Sequence, residues 1–348
     1  MNGDIMTECY EKYLYGKSEI ISNKIGIRDH FDLMLFTINW EPRCVNIESY
    51  NSNLFSFDNC GIITFKSGNP VPLERENLQK IKSFLKLKIG EKYNSIKYIN
   101  EESPEFDVHK FNHINKKLKN YIFEMYSSLK RPLSIGFDIS GCPRRIFLNF
   151  LGYCLNHIYV KKISFFYSEG NLDSFLNKYS HSKGDWKIVE ILEFGSVYNP
   201  EKENLYIISG GWEGNRYINL LNRLEPMDLG ILLPIPGFTK LYTEKTKKEC
   251  QPLIEQFNIP QQQIVKASAG DAIAAWKILK NPGVNKKDRN IIYLTYGPKP
   301  HILAMGIHGA LNKNIIVTYR IPYKGFEKMN VESLGNFWKY DIRNDSLI

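Results

Sequence analysis

The sequence lacks long hydrophobic runs, paired cysteines and a recognisable leader. It has no stretch of about 18 consecutive apolar residues, which excludes a membrane-spanning helix. The first residues show no basic segment followed by an apolar one, so we expect no secretory signal, a cytoplasmic location and no membrane partner. None of the six cysteines forms a CxxC pair, and free thiols are expected in that compartment.

Several short catalytic signatures are also absent. There is no HExxH, no GxSxG and no acidic pair at a strand end. The G-x-G-x-x-G fingerprint and the Walker A loop do not occur either. The seven histidines show no ligand spacing except at His109 and His113, which have no third ligand in sight and are interpreted as solvated surface. We therefore expect no metal site, and the sequence identifies no cofactor.

The composition itself is typical of a globular protein. Of the 348 residues, 43% are hydrophobic, which is enough to bury a sizeable core. The formal net charge is +9, and the basic excess is scattered along the chain in short clusters. Scattered charge is typical of solvated helix faces. It is also compatible with an anionic partner, whether a nucleotide, a nucleic acid or an acidic protein.

Residues 205–234 show the organisation of the chain most clearly. An apolar run at 205–208 precedes the turn Ser209–Gly211, which leads into a helical pattern at 217–224 and a second apolar run at 229–233. Strands that are apolar throughout are typical of a sheet covered on both faces, and the connection suits a right-handed parallel crossover. The alternation recurs along nearly the whole chain. The sequence therefore predicts an α/β, Rossmann-like fold with a mostly parallel sheet and helices on both faces.

The remaining elements are predicted from the same patterns. Further strands are predicted at 33–38, 60–65, 95–99, 133–139, 162–167, 186–192, 264–267, 290–294 and 315–318. Further helices are predicted at 74–87, 107–129, 146–155, 239–257, 272–279 and 302–311, and less clearly at 44–52 and within 1–30, where an arm is the alternative. The loop Lys130–Pro132 is the best boundary between an N-terminal α/β region, 1–130, and a C-terminal Rossmann-like region, 131–348. A single domain is the alternative.

Ligands in open α/β sheets bind outside the carboxyl ends of the strands, so the turns there are candidate sites. In the first such turn, Asp138 ends a strand, and Ser140 and Gly141 come where a helix should begin. A helix N-terminus suits a phosphate, and Arg144 can add a charge-assisted contact. Alternatively, Ser140 is simply the N-cap, and Asp138 is a capping or turn residue.

The second candidate turn is rich in glycine. Gly210 and Gly211 allow a ligand to approach the backbone closely, and polar contacts can come from Glu213, Asn215 and Arg216. The alternative is a tight turn that needs its glycines for a positive φ. If the protein is an enzyme, Glu213 in this turn, or Asp138 in the first, is the candidate general acid or base.

The third and fourth candidate turns follow the last two predicted strands. Gly297 and Lys299 precede a helix rich in small residues, and the two prolines that flank Lys299 hold it where an anion at the helix start would meet it. His301 is interpreted as a surface or capping histidine. After the last strand, Tyr319 can stack on a base, although packing in the core or rim is the alternative.

Residues 291–318 resemble the C-terminal part of CARF and SAVED domains, which are Rossmann-like sensors of cyclic oligonucleotides in prokaryotic defence. Those domains often close with a strand, a Gly-Thr-Lys-type turn, a helix of small residues and a strand. Gly297 and Lys299 match that turn, and Pro298 stands in place of the threonine. The resemblance implies a protein that binds a nucleotide and passes the signal to a separate effector.

Three functional hypotheses follow. The leading one is a nucleotide- or phosphate-ligand-binding Rossmann-like protein that acts within a larger assembly, with a partner protein or further copies of itself, in prokaryotic antiviral defence. The second is an enzyme that acts on a nucleotide, such as a hydrolase or a glycosyl-transferring enzyme. The third is an interaction scaffold without a ligand.

Overall fold

The chain folds into two compact units. The computed structural model describes the chain except residues 1–5, 22–28, 47–54, 67–71, 91–95, 103–110, 172–181, 213, 215, 282–283, 285, 287, 327–330 and 348. Unit 1 comprises Met1–Phe150, His157–Asn171 and Lys328–Ile348, and unit 2 comprises Leu151–Asn156 and Leu172–Glu327. Among the described residues, no helix is long and apolar enough to span a membrane.

Unit 1 is built on an eight-stranded sheet. Its strands are β1 Met6–Glu11, β2 Leu14–Ile20, β3 Asp29–Ile38, β4 Phe55–Lys66, β5 Lys97–Glu102, β6 Leu133–Asp138, β7 Val160–Gly170 and β14 Ser333–Asn344. Its helices are α1 Pro72–Ile89, α2 Phe111–Leu129 and α3 Arg144–Asn156, the last six residues of α3 belonging to unit 2. The strand order is β1-β2-β14-β7-β6-β3-β4-β5.

The five strands from β7 to β5 are parallel, and the other three pair antiparallel. Counted along the chain from β3, the parallel strands have the order 3-2-1-4-5, which is the Rossmann order 3-2-1-4-5-6 without its last strand. The strand order therefore reverses between β3 and β6. The predicted boundary at 130/131 lies inside unit 1, because β6 pairs with β3 across it.

Unit 2 repeats this topology. Its strands are β8 Ser182–Glu190, β9 Asn204–Ser209, β10 Asp228–Pro234, β11 Ile264–Ala267, β12 Asn290–Leu294 and β13 Ile315–Phe326. Its helices are α4 Arg216–Leu224, α5 Lys240–Gln256, α6 Ala272–Leu279 and α7 Lys299–Leu311. The order is β11-β10-β9-β12-β13-β8, with only β8 antiparallel among the described strands. Counted from β9, this is again 3-2-1-4-5, and the order reverses between β9 and β12.

Close packing of helix on sheet is clearest at α7. Every residue from Pro300 to Leu311 is buried, and a Cβ added to Gly309 would lie 2.4 Å from Val317 Cγ2 of β13. The small residues that the sequence places in this helix therefore bring it close to the strands, where the apolar runs of β12 and β13 meet it. The predicted α/β, Rossmann-like fold class is confirmed.

The structure differs from the sequence-based expectations in three segments. The described residues 6–20 are not the short helix expected within 1–30, because β1 and β2 form an antiparallel hairpin with Met6 opposite Glu19. Strand β14 was not predicted, since its 12 residues are largely polar and lack an apolar run. Of the predicted helix at 44–52, the described part is a 3-10 helix at Pro42–Val45. Strand β2 of the hairpin pairs with β14, so both depend on a partner that is distant in sequence.

Candidate functional site

Two of the predicted glycine turns meet at the switch point of unit 2. Leu294 pairs with Ile208, so the ends of β12 and β9 lie side by side. A Cβ added to Gly297 would lie 2.0 Å from Ser209 Oγ and 2.5 Å from the carbonyl oxygen of Gly210. Glycine is required here by this close approach. The alternative of a positive φ is wrong for Gly210 and Gly211, which do not adopt the left-handed conformation.

Ser209 presents an unsatisfied polar atom to this junction. Its side chain is fully buried, and Oγ has no hydrogen-bond partner among the described residues. The short distance from Oγ to the Cβ position of Gly297 shows that the hydroxyl faces the turn before α7. A buried hydroxyl without a partner costs free energy, so a polar ligand group at this turn would be stabilised by it.

Helix α7 directs its N-terminus at the same junction. It has 13 residues, and its N-cap residue, Pro298, supplies no side-chain cap. The helix dipole places partial positive charge at this end, and Lys299, the half-buried first helical residue, adds a full charge. Because proline has no N–H, Pro298 and Pro300 donate nothing, and the donors of the first turn are those of Lys299 and His301. The turn therefore favours a negatively charged group.

His301 is buried, unlike the surface or capping histidine that the sequence suggested. Its Nε2 lies 3.0 Å from the carbonyl oxygen of Ser268, so Nε2 carries the proton and donates it. Burial lowers the pKa of His301 to about 4, which keeps the ring neutral at pH 7. A neutral, buried ring of this kind is suited to holding neighbouring backbone in place. His301 ties the first turn of α7 to the turn after β11.

An aromatic pair stands beside the glycine turns, after β10. The ring centroids of Phe238 and Tyr242 are 5.3 Å apart in an edge arrangement. Tyr242 is buried, and its hydroxyl oxygen lies 3.9 Å from the Cβ position of Gly211. Sequence reasoning treated the Pro-Ile-Pro-Gly segment before Phe238 only as a rigid turn. The signal that could have found the pair is its position at the carboxyl end of an apolar strand.

The fourth predicted turn lies inside the sheet. Strand β13 continues past the predicted end at Thr318, so Tyr319 is a buried strand residue. This buried position corresponds to the alternative in which Tyr319 packs in the core and does not stack on a base. The next residue, Arg320, was not predicted as a site residue, and its guanidinium carbon lies 5.4 Å from the ring centroid of Tyr296. Tyr296 in turn packs on Tyr217 at 4.7 Å, so the cation is held within the core of unit 2.

The remaining predictions for the second turn are not tested. Glu213 and Asn215 lie outside the described residues, and so does His109 of the histidine pair. Arg216 is the first residue of α4, and only its backbone is described. Glu213 therefore stays a prediction as general acid or base.

In unit 1, the predicted site residues make turn contacts. Asp138 is fully buried, and its Oδ1 accepts a hydrogen bond of 2.8 Å from the Ser140 N–H. Ser140 Oγ accepts a hydrogen bond of 2.9 Å from the Ser168 N–H. The suggestion that Ser140 is the N-cap is wrong, because Pro143 holds that position and α3 begins at Arg144. Asp138 makes the contact of a turn residue, and this corresponds to the alternative that the sequence left open for it.

Side chains of the chain itself fill the switch point of unit 1. The amide of Asn39 donates to the Gly141 carbonyl at 2.9 Å, and a Cβ on Gly141 would lie 2.7 Å from Cys44 Cβ. Arg43 donates to Glu41 at 2.5 Å and to the Tyr167 hydroxyl at 3.2 Å. In unit 2, the Gly297 turn instead lies against Ser209 and the Gly210 carbonyl, beside Lys299 and the N-terminus of α7. The geometry therefore favours unit 2 as the candidate site.

A buried hydroxyl marks the same register in both units. Thr37 of β3 stands one residue beyond the pair Phe36–Asp138, as Ser209 stands one residue beyond Ile208–Leu294. Thr37 Oγ1 is also buried without a partner among the described residues. The turn opposite Thr37, however, is packed by Asn39 and Cys44. The two switch points thus share the position of a buried hydroxyl.

Comparison with known proteins adds no function. No family model and no curated protein matches the chain. The cytoplasmic domain of a prokaryotic cation chloride cotransporter aligns at 9% identity over 84% of this chain and 96% of that chain, with a TM-score of 0.25. A functionally unknown protein from Pseudomonas aeruginosa PAO1 aligns at 6% identity over 83% and 92%, with a TM-score of 0.22. Likenesses this low carry no argument. The fold and the site define a Rossmann-like α/β protein with an anion-favouring turn.

Proposed function

We propose that the chain binds a nucleotide or another phosphate-bearing ligand at the carboxyl edge of the unit 2 sheet. The observation that carries this proposal is the meeting of the Ser209–Gly211 and Gly297–Lys299 turns around the unpartnered Ser209 hydroxyl. It is the position where open α/β sheets bind ligands. The net charge of +9 supports an anionic ligand.

The wider role is part of the same proposal. A larger assembly with a partner protein or further copies, in prokaryotic antiviral defence within the cytoplasm, rests on the resemblance of residues 291–318 to CARF and SAVED domains. Two features support a sensor of this kind. Gly297 makes the closest backbone approach at the junction, and Lys299 begins the helix whose N-terminus faces it.

The first test replaces the site lysine. Lys299→Ala is expected to weaken binding of a phosphate-bearing ligand about tenfold or more, because a charge-assisted contact contributes about 1.5–3 kcal/mol. Calorimetric titration with mono-, di- and cyclic nucleotides measures the change. Mass spectrometry of small molecules released by heat from the purified protein identifies any ligand that is already bound.

The matched control is Lys277→Ala, which removes an exposed lysine from the last turn of α6. It changes the net charge equally and leaves the site intact, so affinity should stay within about twofold of the unchanged protein. Absence of heat with every nucleotide would refute the proposal. An equal loss in the two variants would show that only the overall charge matters.

A further inference from the structure

The turn after β10 is held rigidly in place. The Thr239 hydroxyl caps α5 by accepting from the Tyr242 N–H at 3.0 Å, and the Gly237 N–H donates to Thr243 Oγ1 at 2.8 Å. On the other side, Ala269 N–H donates to the Pro236 carbonyl at 2.9 Å. Phe238 stands between these anchors, so its backbone has little freedom. A ring held in this way loses little entropy when a ligand packs on it.

Tyr242 connects this turn to the glycine turns. A Cβ added to Gly237 would lie 2.5 Å from Tyr242 Cδ1, so the ring lies against the turn. At its other end, the hydroxyl oxygen lies 3.9 Å from the Cβ position of Gly211, and that position is 3.7 Å from Gly297 Cα. Contacts therefore run from Phe238 through Tyr242 and Gly211 to the turn before α7.

The rings of Tyr242 and Phe238 differ in their exposure to solvent. Tyr242 is only 4% exposed and serves as a support, whereas Phe238 is half-buried and keeps part of its ring accessible. The aromatic surface offered at this edge is thus that of Phe238. Aromatic faces at such positions accept flat rings by stacking.

The spacing of the strands sets the size of a ligand that can contact both Lys299 and Phe238. Strand β9 lies between β12 and β10. Neighbouring strands are about 4.8 Å apart, so the Lys299 end and the Phe238 end are separated by roughly 10 Å. Gly210 and Gly211 lie between the two ends and carry no side chains of their own. A single phosphate does not cover this distance, whereas a phosphate joined through a sugar to a base does.

We infer that the ligand of unit 2 is a nucleotide whose base stacks on Phe238 while its phosphate lies at the Gly297–Lys299 turn. This inference rests on the proposed function and narrows it, since inorganic phosphate and sugar phosphates occupy only one end. It also assigns a role to Phe238 that the phosphate site alone does not require.

The test compares two probes on two variants. For unchanged protein, calorimetry should show that one of AMP, GMP, CMP and UMP binds at least tenfold more tightly than ribose 5-phosphate. Phe238→Ala should weaken that nucleotide roughly tenfold and leave ribose 5-phosphate within twofold, because only the stacked base is lost. Lys299→Ala should weaken both probes.

The matched control is Met227→Ala. Met227 is 93% exposed and precedes β10 at its amino end, away from the site, so both affinities should be unchanged. If Phe238→Ala does not fold, Phe238→Leu keeps the apolar volume, removes the ring and should give the same loss. Equal affinities for nucleotides and ribose 5-phosphate, or an unchanged nucleotide affinity in the folded Phe238 variant, would overturn the inference and leave the phosphate site standing. Failure of all four mononucleotides to bind would also overturn the inference, and failure of every di- and cyclic nucleotide as well would refute the proposed function.

Discussion

Gly297→Ala is expected to lower the free energy of unfolding by about 3 kcal/mol, because its Cβ overlaps atoms that cannot all move away. The nearest atoms are Ser209 Oγ at 2.0 Å and the Gly210 carbonyl oxygen at 2.5 Å, and the second is part of the backbone. For a unit of this size, the loss corresponds to a fall of about 10 °C in the midpoint of its thermal transition. Differential scanning calorimetry, with the transitions of the two units fitted separately, measures it.

The control for Gly297 is the neighbouring glycine across the junction. The Cβ of Gly211→Ala would have no atom closer than 3.7 Å, an ordinary contact, so its stability should stay within about 1 kcal/mol of the unchanged protein. Ser209→Gly in the Gly297→Ala background removes one of the two overlaps and should restore part of the lost stability. Equal midpoints for the two alanine variants would contradict the close approach of the turns.

The second large effect is expected at a buried lysine of unit 1. Lys339 Nζ lies 2.5 Å from Asp29 Oδ2, 2.8 Å from Asp341 Oδ2 and 3.1 Å from Glu19 Oε1, and its side chain is 4% exposed. Lys339→Met removes the ammonium group that these three carboxylates share. The free energy of unfolding at pH 7 should therefore fall by about 3 kcal/mol. Urea denaturation measures the loss.

The loss at Lys339 should depend on pH. Burial by itself raises the pKa of Asp29, but the ammonium groups of Lys339 and Lys162 outweigh it and hold this pKa below its usual value. A lowered carboxyl pKa contributes stability above the unfolded pKa of about 3.9, and this is lost as pH falls through the folded value. The difference between Lys339→Met and the unchanged protein should therefore stay constant from pH 7 to about pH 5 and shrink as the pH falls further, below the unfolded pKa of about 3.9.

Lys17→Met is the matched control for Lys339. Lys17 pairs with Glu19 at 2.6 Å, and its side chain is 23% exposed. Lys17 is more exposed than Lys339, and Glu19 keeps its contact with Lys339 when Lys17 is replaced, so the loss should be within about 1 kcal/mol. A loss at Lys339 that is no larger than at Lys17, or that does not change with pH, would show that the buried ion pairs do not stabilise unit 1.

The contacts of the aromatic pair with the glycine turns, and the buried ion pairs, could not have been predicted from local patterns. Phe238 and Tyr242 are four residues apart across a helix start, and only the packing of Gly237 against Tyr242 turns them toward Gly211. Likewise, Lys339 meets Glu19 across 320 positions of sequence because β14 pairs with β2. Alternation of polar and apolar residues in β2 and β14 is too weak to mark strands whose partners are unknown.

By itself, the sequence determined the parallel strands of both Rossmann-like sheets and the glycine turns at their ends, because unbroken apolar runs, helical periodicity and Gly-Pro turns are local consequences of residue type. Tertiary structure alone decided that two sheets form, that β14 returns to unit 1 and that Gly297 meets Ser209. It also decided that Asn39 and Cys44 fill one switch point. The physical reason is that strand order and turn contacts are set by hydrogen bonds and packing between distant segments, and the same local pattern is compatible with several arrangements of them.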